Sequence, residues 1–267
     1  KKSHGREGNR IHDYTWSVRL LKEMLDNSNI ADKVKVEMHF DGWPTDESTL
    51  EDADTIMVIS DGRDGDKYSP APHQESDERI AFVEKQMKRG CGIITFHFST
   101  FAPDNYGLKM LEWGGGYFDW ETNGVRKWYS AIRHMGGDTQ VELPNAGHPV
   151  CNGVEPFTMK EEYYYNIRFE ENDKGLTHIL RVPALNGRAG DGNVVAWAKQ
   201  RGPAFNNGRG FGTTCGHFYD NWKNDAFRKV ILNAIAWTAH IDFPEGGVEA
   251  KYYEHDEIMR ALERVKG

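Results

Sequence analysis

The chain has 267 residues, with 33 Lys or Arg against 41 Asp or Glu, so its formal net charge is −8. This length supports a sizeable core without disulfide or metal staples, and three cysteines exclude a disulfide framework and a Cys-only zinc site. An acidic chain without a basic block is a poor candidate for nucleic-acid binding, and no apolar run approaches the roughly 18 residues of a membrane span. The surplus of aromatic residues and glycine is typical of proteins that handle sugars.

The first hundred residues alternate between helical and strand patterns. Apolar residues at helical spacing predict a helix over 13–26, and strict alternation predicts a strand over 34–40. Two short apolar runs, 55–59 and 92–96, predict buried strands on either side of a helix over 77–89. This βαβ order predicts a parallel sheet with helices on both faces. Because residues 1–8 have the composition of a loop, we expect a further strand ahead of residue 1.

The second half of the chain is less regular. Four further strands are predicted, over 139–143, 178–182, 194–198 and 210–214. The strongest helix pattern runs from 225 to 239, and an amphipathic helix over 254–265 closes the chain. Without a repeat or a clear linker, the sequence favours a single α/β domain over 1–267, with 244–267 as a C-terminal helical extension.

Histidines follow several of the predicted turns. In open parallel sheets, ligands bind at the carboxyl ends of the strands. His97 and His217 each follow a predicted strand, and His4 and His12 both follow the strand expected ahead of residue 1. Together the four could ligate a divalent metal such as Zn, although no compact zinc motif is present. The alternative is that each histidine only bonds nearby backbone.

Two other kinds of catalytic group are available. Ser99 lies near His97 and could act as a nucleophile, but the turn lacks the glycines of a nucleophile elbow. Glu161 and Glu162 could serve in acid–base chemistry, and adjacent strand residues point to opposite faces, so at most one faces a site. The three cysteines are interpreted as structural.

Aromatic residues near these turns are candidates for stacking against a sugar ring. They could equally form a packed hydrophobic lid. The predicted substrate-binding residues are Trp113, Tyr117, Trp120, Glu121, Tyr219 and Trp222.

The motifs taken together resemble the trehalose-utilisation ThuA-like family. The matching stretches are Lys2-Ser3-His4-Gly5 with His12, 92–99, 113–117, 147–150 with Gly153, Glu162-Tyr163, 195–197 and 208–237. The resemblance implies a class I glutamine amidotransferase-like fold, which is a flavodoxin-like three-layer sandwich with a mostly parallel sheet. It also implies a first strand ending just before Lys2.

The resemblance also bears on activity. Amidotransferases carry a cysteine at the elbow and a His-x-Glu pair, whereas this chain has the 97–99 turn without cysteine and Tyr219 two residues after His217. Glutamine hydrolysis is therefore not expected. The family implies a small-molecule sugar as partner, and the first hypothesis is a hydrolase or lyase acting on a sugar or 3-keto-glycoside. Its catalytic residues would be His97, His217, Ser99 and Glu162, with His4, His12, His97 and His217 as metal ligands.

Two alternatives remain open on the sequence. One is a non-catalytic module that binds a carbohydrate or a partner through the aromatic loops, and the other is a metal-free serine hydrolase. The sequence is compatible with an oligomer, and with a soluble protein that is either cytoplasmic or exported after removal of a leader.

Overall fold

A computed structural model describes residues 9–63 and 68–266. The helices are α1 (Tyr14–Asp26), α2 (Asp77–Lys88), α3 (Asp104–Gly114), α4 (Asp225–Thr238) and α5 (His255–Lys266). The strands are β1 (Thr55–Ile59), β2 (Gly92–Phe96), β3 (Gly116–Tyr117), β4 (Glu121–Thr122), β5 (Val125–Arg126), β6 (Ala131–His134), β7 (Thr139–Val141), β8 (Phe157–Met159), β9 (Glu162–Tyr165), β10 (Arg168–Phe169), β11 (Leu176–Arg181), β12 (Val194–Gln200) and β13 (Arg209–Thr213).

Five strands form the central sheet, in the order β1-β2-β13-β12-β11. β2 pairs in parallel with both β1 and β13, whereas β12 pairs antiparallel with β13 and with β11. The expected mostly parallel sheet is therefore corrected to a mixed one. The reason is the connection over 201–208, which contains no α-helix and is too short for the crossover that parallel pairing of β12 and β13 would need.

Helices cover both faces of this sheet. Ile93 of β2 belongs to a core cluster with Val83 of α2 and Met110 of α3. The next residue, Ile94, belongs to a second cluster that contains Leu20 of α1 and Val230 of α4. Since successive strand residues point to opposite faces, α2 and α3 lie on one face and α1 and α4 on the other.

The helices predicted from periodicity are present within one or two residues, and all five central strands overlap the predicted ones, with β11 beginning two residues earlier than expected. The strand predicted over 34–40 is wrong, because this segment is extended but pairs with no described strand. A cleft of about 640 Å³, lined by Val34, Val36, Ile56 and Val58 among others, separates it from β1. The strand expected ahead of residue 1 lies outside the described residues and stays a prediction.

None of the helices in the described part of the chain is both long enough and apolar enough to span a bilayer.

Candidate metal centre

Two turns at the carboxyl ends of β2 and β13, together with the segment ahead of α1, bring three histidines together. His97 is the first residue after β2, and His217 follows β13 by a short turn. His12 lies just ahead of α1, where its backbone N–H donates to the His217 carbonyl at 2.9 Å. A β-bridge between Ile11 and Phe218 holds the same two segments side by side. The third histidine therefore comes from a backbone contact between segments about 200 residues apart.

The ring nitrogens converge on one point. His12 Nε2 lies 2.8 Å from His217 Nδ1 and 3.1 Å from His97 Nε2. Glu162 Oε2 lies 3.2 Å from His217 Nδ1 and 4.0 Å from His97 Nε2. The four ligand atoms all lie within 4.8 Å of one another. The separations given above, from 2.8 to 4.0 Å, are within the roughly 4.4 Å that separates opposite ligands with bonds of about 2.2 Å. Three buried imidazoles and a half-buried carboxylate form a donor set that suits zinc and similar divalent metals.

Backbone strain accompanies two of these residues. His12 and His97 have φ values of 50° and 51°. These lie in the left-handed region, which residues other than glycine rarely adopt. Such strain persists only where surrounding structure enforces it, and it concentrates at functional sites. The ring of His97 is oriented by a hydrogen bond, since its Nδ1 lies 2.7 Å from the Thr214 carbonyl. Because a carbonyl only accepts, Nδ1 carries the proton and Nε2 offers its lone pair to the cluster.

Glu162 enters the cluster as an anion. Burial raises the pKa of its carboxyl, but the hydrogen bond with His217 and the neighbouring His12 and His134 outweigh burial and lower it overall. A divalent cation binds deprotonated ligands, and an ionised carboxylate beside three imidazoles can supply them. Adjacent strand residues were expected to point apart, and Glu161 indeed makes different contacts.

Glu161 is fully buried and secures the turn that carries His217. Its carboxylate accepts hydrogen bonds from the backbone N–H groups of Gly216 (2.8 Å), His217 (3.1 Å) and Glu162 (2.8 Å), and from the Asn221 amide (2.9 Å). Burial raises the pKa of this carboxyl to about 7, and these donors oppose that rise. The Glu161 carboxylate thus positions His217 and Glu162 through their backbone, without reaching the point where the histidine rings converge.

Three further side chains at the cluster were not predicted from the sequence. Asp61 Oδ1 lies 3.8 Å from His12 Nδ1, and Tyr164 Oη lies 2.7 Å from His97 Nε2. Tyr14 stacks on the ring of His12. Burial, with the nearby carboxylates, raises the pKa of Tyr14 and Tyr164 well above the ordinary value, so both phenols stay protonated. Asp61 had a usable signal, since it follows β1 at the same edge, whereas the tyrosines had none.

Ser99, predicted as a catalytic residue, does not belong to this cluster. Ser99 is buried, accepts from the Phe96 N–H at 2.8 Å and donates to the Val58 carbonyl at 2.8 Å. Its hydroxyl is therefore engaged in holding the turn after β2. His4, predicted as a metal ligand, lies outside the described residues.

Most of the predicted sugar-binding aromatics are in the hydrophobic core. Trp113, Tyr117, Tyr219 and Trp222 are each at most 3% exposed. The Trp113 indole donates to Glu84, and the Trp222 indole to Ser17. Trp120 and Glu121 are half-buried, and Trp120 stacks on Phe118 with the Arg126 guanidinium over its ring. Rings with so little exposed surface stabilise the fold and offer no face for stacking against a sugar ring in this conformation.

The substitution Glu161→Gln tests the positioning role of this carboxylate. Gln keeps one acceptor oxygen but turns an amide N–H₂ toward backbone N–H groups, so we expect Zn²⁺ affinity to fall by about 10- to 100-fold. The loss of buried acceptors should also lower the free energy of unfolding by about 1–3 kcal/mol. Calorimetric Zn²⁺ titration and urea unfolding measure the two effects.

A matched control for this variant is Glu142→Gln, which removes a surface carboxylate paired with Arg181 at 2.7 Å. It should leave Zn²⁺ affinity unchanged and cost at most about 1 kcal/mol. Wild-type Zn²⁺ affinity in the Glu161→Gln protein would contradict the positioning role.

Fold and site together define an α/β protein with a buried cluster of three histidines and a glutamate at the carboxyl edge of its parallel strands. The model of the ThuA family, described as trehalose utilisation, matches residues 4–238, and the chain belongs to this family. Membership implies a role in trehalose utilisation and hence in carbohydrate metabolism.

Solved structures agree on the fold. A ThuA-like protein from Bacteroides uniformis superposes with a TM-score of 0.62 at 15% identity, over 88% of each chain. A ThuA-like protein from Parabacteroides merdae gives a TM-score of 0.58 at 16% identity, over 90% of this chain and 94% of its own. No curated protein matches this chain.

Proposed function

We propose that this protein is a divalent-metal-dependent enzyme, a hydrolase or lyase that acts on a sugar or a 3-keto-glycoside. The observation that carries the proposal is the convergence of His12, His97, His217 and Glu162 within 4.8 Å. Membership in a carbohydrate-utilisation family supports the substrate class.

The residues of the cluster fit a metal in their chemistry as well as their spacing. His97 presents an unprotonated Nε2 because its Nδ1 donates to the Thr214 carbonyl. Glu162 contributes a negative charge, and Asp61 lies close enough to His12 to orient its ring. Metal-ligating histidines commonly bond a carboxylate or a carbonyl through their second nitrogen, as His97 does here with the Thr214 carbonyl.

A bound divalent metal would polarise a keto group or activate water. The chain's own contribution is a largely buried, polar pocket. His12, His97 and His217 would hold the metal ion in place. Glu161 keeps the His217 turn rigid by accepting hydrogen bonds from its backbone. The phenol of Tyr164 offers a hydrogen-bond donor beside the cluster.

Metal content and metal-dependent turnover test this function. We expect the purified protein to bind a single equivalent of Zn²⁺ or a similar ion by calorimetry. Turnover of a 3-keto-glycoside should stop after chelation and return when the metal is restored. A protein that binds no divalent ion, or whose turnover survives chelation, would contradict the proposal.

Glutamine hydrolysis stays outside the proposed activity. The residue at the turn after β2 is His97 rather than cysteine, and Tyr219 stands where a glutamate would complete the amidotransferase pair. The carbohydrate-binding alternative would depend on exposed rings, and Trp113 is buried in the core. The serine-hydrolase alternative would depend on Ser99, whose hydroxyl is bound to backbone on both sides.

We also propose that the whole chain forms a single domain of the flavodoxin-like sandwich typical of class I amidotransferases. Helices on both faces of a sheet with three parallel strands support this architecture.

A further inference from the structure

Two buried phenols border the histidine cluster. Tyr164, on β9, stacks on His97 with ring centroids 4.4 Å apart. Tyr14, the first residue of α1, stacks on His12 at 5.5 Å. The side chains are 2% and 4% exposed, so water does not readily solvate either hydroxyl. The hydrogen bonds of these two groups must therefore be accounted for within the protein or a ligand.

Among the described residues, the hydroxyl of Tyr164 has a hydrogen-bond partner only while His97 Nε2 is free of metal. Because His97 Nδ1 donates to the Thr214 carbonyl, Nε2 accepts a hydrogen bond from the Tyr164 hydroxyl at 2.7 Å. A metal ion would use the same lone pair, since a neutral imidazole has one acceptor nitrogen. Metal binding then leaves the Tyr164 O–H as a buried donor beside the ion.

The hydroxyl of Tyr14 is already without a partner. Its oxygen is closed to solvent and makes no hydrogen bond within the described part of the chain. The charged groups that act on it are the carboxylates of Asp61, Glu162 and Glu161. A buried hydroxyl left unpaired is costly, so it calls for an explanation, such as a catalytic role or a bound ligand.

We propose that Tyr14 and Tyr164 form an oxygen-binding pair, two phenol donors that would hold a substrate oxygen beside a metal ion bound by the histidine cluster. This inference rests on the proposed function. Two donors favour an oxygen with free lone pairs and developing negative charge. The pair thus selects a keto oxygen next to a hydroxyl, as in an oxidised sugar, over a ligand that presents an ammonium group. The phenols act by hydrogen bonding and keep their protons.

Cobalt-loaded protein with acetohydroxamate, a chelating oxygen ligand, provides the test. We expect Tyr14→Phe to bind Co²⁺ like wild type, to keep or raise the Tm of the metal-free protein, and to bind acetohydroxamate about tenfold more weakly, the value of one hydrogen bond to a charged acceptor. Tyr164→Phe should bind Co²⁺ more tightly, because the competing hydrogen bond to His97 is gone, and should also bind acetohydroxamate more weakly. The visible absorption of Co²⁺ reports both steps.

The exposed Tyr129 serves as the matched control, and Tyr129→Phe should change none of these quantities. Unchanged acetohydroxamate affinity in Tyr14→Phe, or a lower Tm of its metal-free form, would overturn the pair while leaving the metal centre intact. A wild-type protein that takes up no Co²⁺ would instead overturn the metal centre, and the pair with it.

Discussion

Replacing His217 by alanine is expected to abolish specific Zn²⁺ binding. The variant loses Nδ1, which lies 2.8 Å from His12 Nε2 and 3.2 Å from Glu162 Oε2. Changes to groups that only orient a ligand cost about 10- to 100-fold in metal affinity, so loss of a ligand should cost more than about 100-fold. Calorimetric titration with Zn²⁺ measures the effect, and turnover of a 3-keto-glycoside should fall with it.

Two companion variants make this result interpretable. His178→Ala removes a half-buried histidine on β11, outside the cluster, and should bind Zn²⁺ like wild type. Glu162→Gln keeps the shape of the side chain but removes its charge, and should also weaken binding. If His217→Ala folds with a wild-type circular dichroism spectrum and still binds Zn²⁺ with wild-type affinity, the ligand set is wrong.

Trp222→Ala is expected to be strongly destabilising, with a loss of about 3–5 kcal/mol in the free energy of unfolding. The indole is 1% exposed, stacks on Phe96 with centroids 5.6 Å apart, and donates to Ser17 Oγ at 3.0 Å. Removing it leaves a large cavity between α1, α4 and β2 that the surroundings fill only in part. Urea unfolding monitored by circular dichroism measures the change.

The control for this variant is Tyr129→Ala, which truncates a ring that is 53% exposed. Surface changes of this kind usually stay within about 0.5 kcal/mol. A loss below 1 kcal/mol for Trp222→Ala, accompanied by weaker sugar binding, would return Trp222 to the substrate-binding role first expected for it.

Local sequence patterns predicted most of the regular structure. The helix over 225–238 has a continuous apolar face, and Asn224 caps it by accepting from the N–H groups of Ala226 and Phe227. The segment over 34–40 shows the limit of such patterns. Its alternation is as regular as that of any strand, but a strand also needs a neighbour to bond, and none lies there among the described residues.

The candidate site was predicted in part. His97 and His217 follow from a general rule, because the carboxyl ends of parallel strands share one edge. Tyr14 and Glu161 follow from no such rule, since one belongs to a helix face and the other lies beneath a turn. Trp113 and Trp222 show the reverse error, because composition counts rings without saying which are buried.

The amino-acid sequence by itself determined the helical and strand periodicities and the family. It also determined the turns from which histidines can reach a shared edge of the sheet. Each of these depends on neighbours within a few positions along the chain, or on short sequence motifs that match those of a known family. The sequence offered His12, His97 and His217 as candidate ligands, but only the tertiary structure brought their rings together with Glu162 and decided that most of the aromatic surplus is core. Those outcomes depend on contacts between segments about 200 residues apart, such as His12 with His217, and on how much surface each side chain keeps after packing.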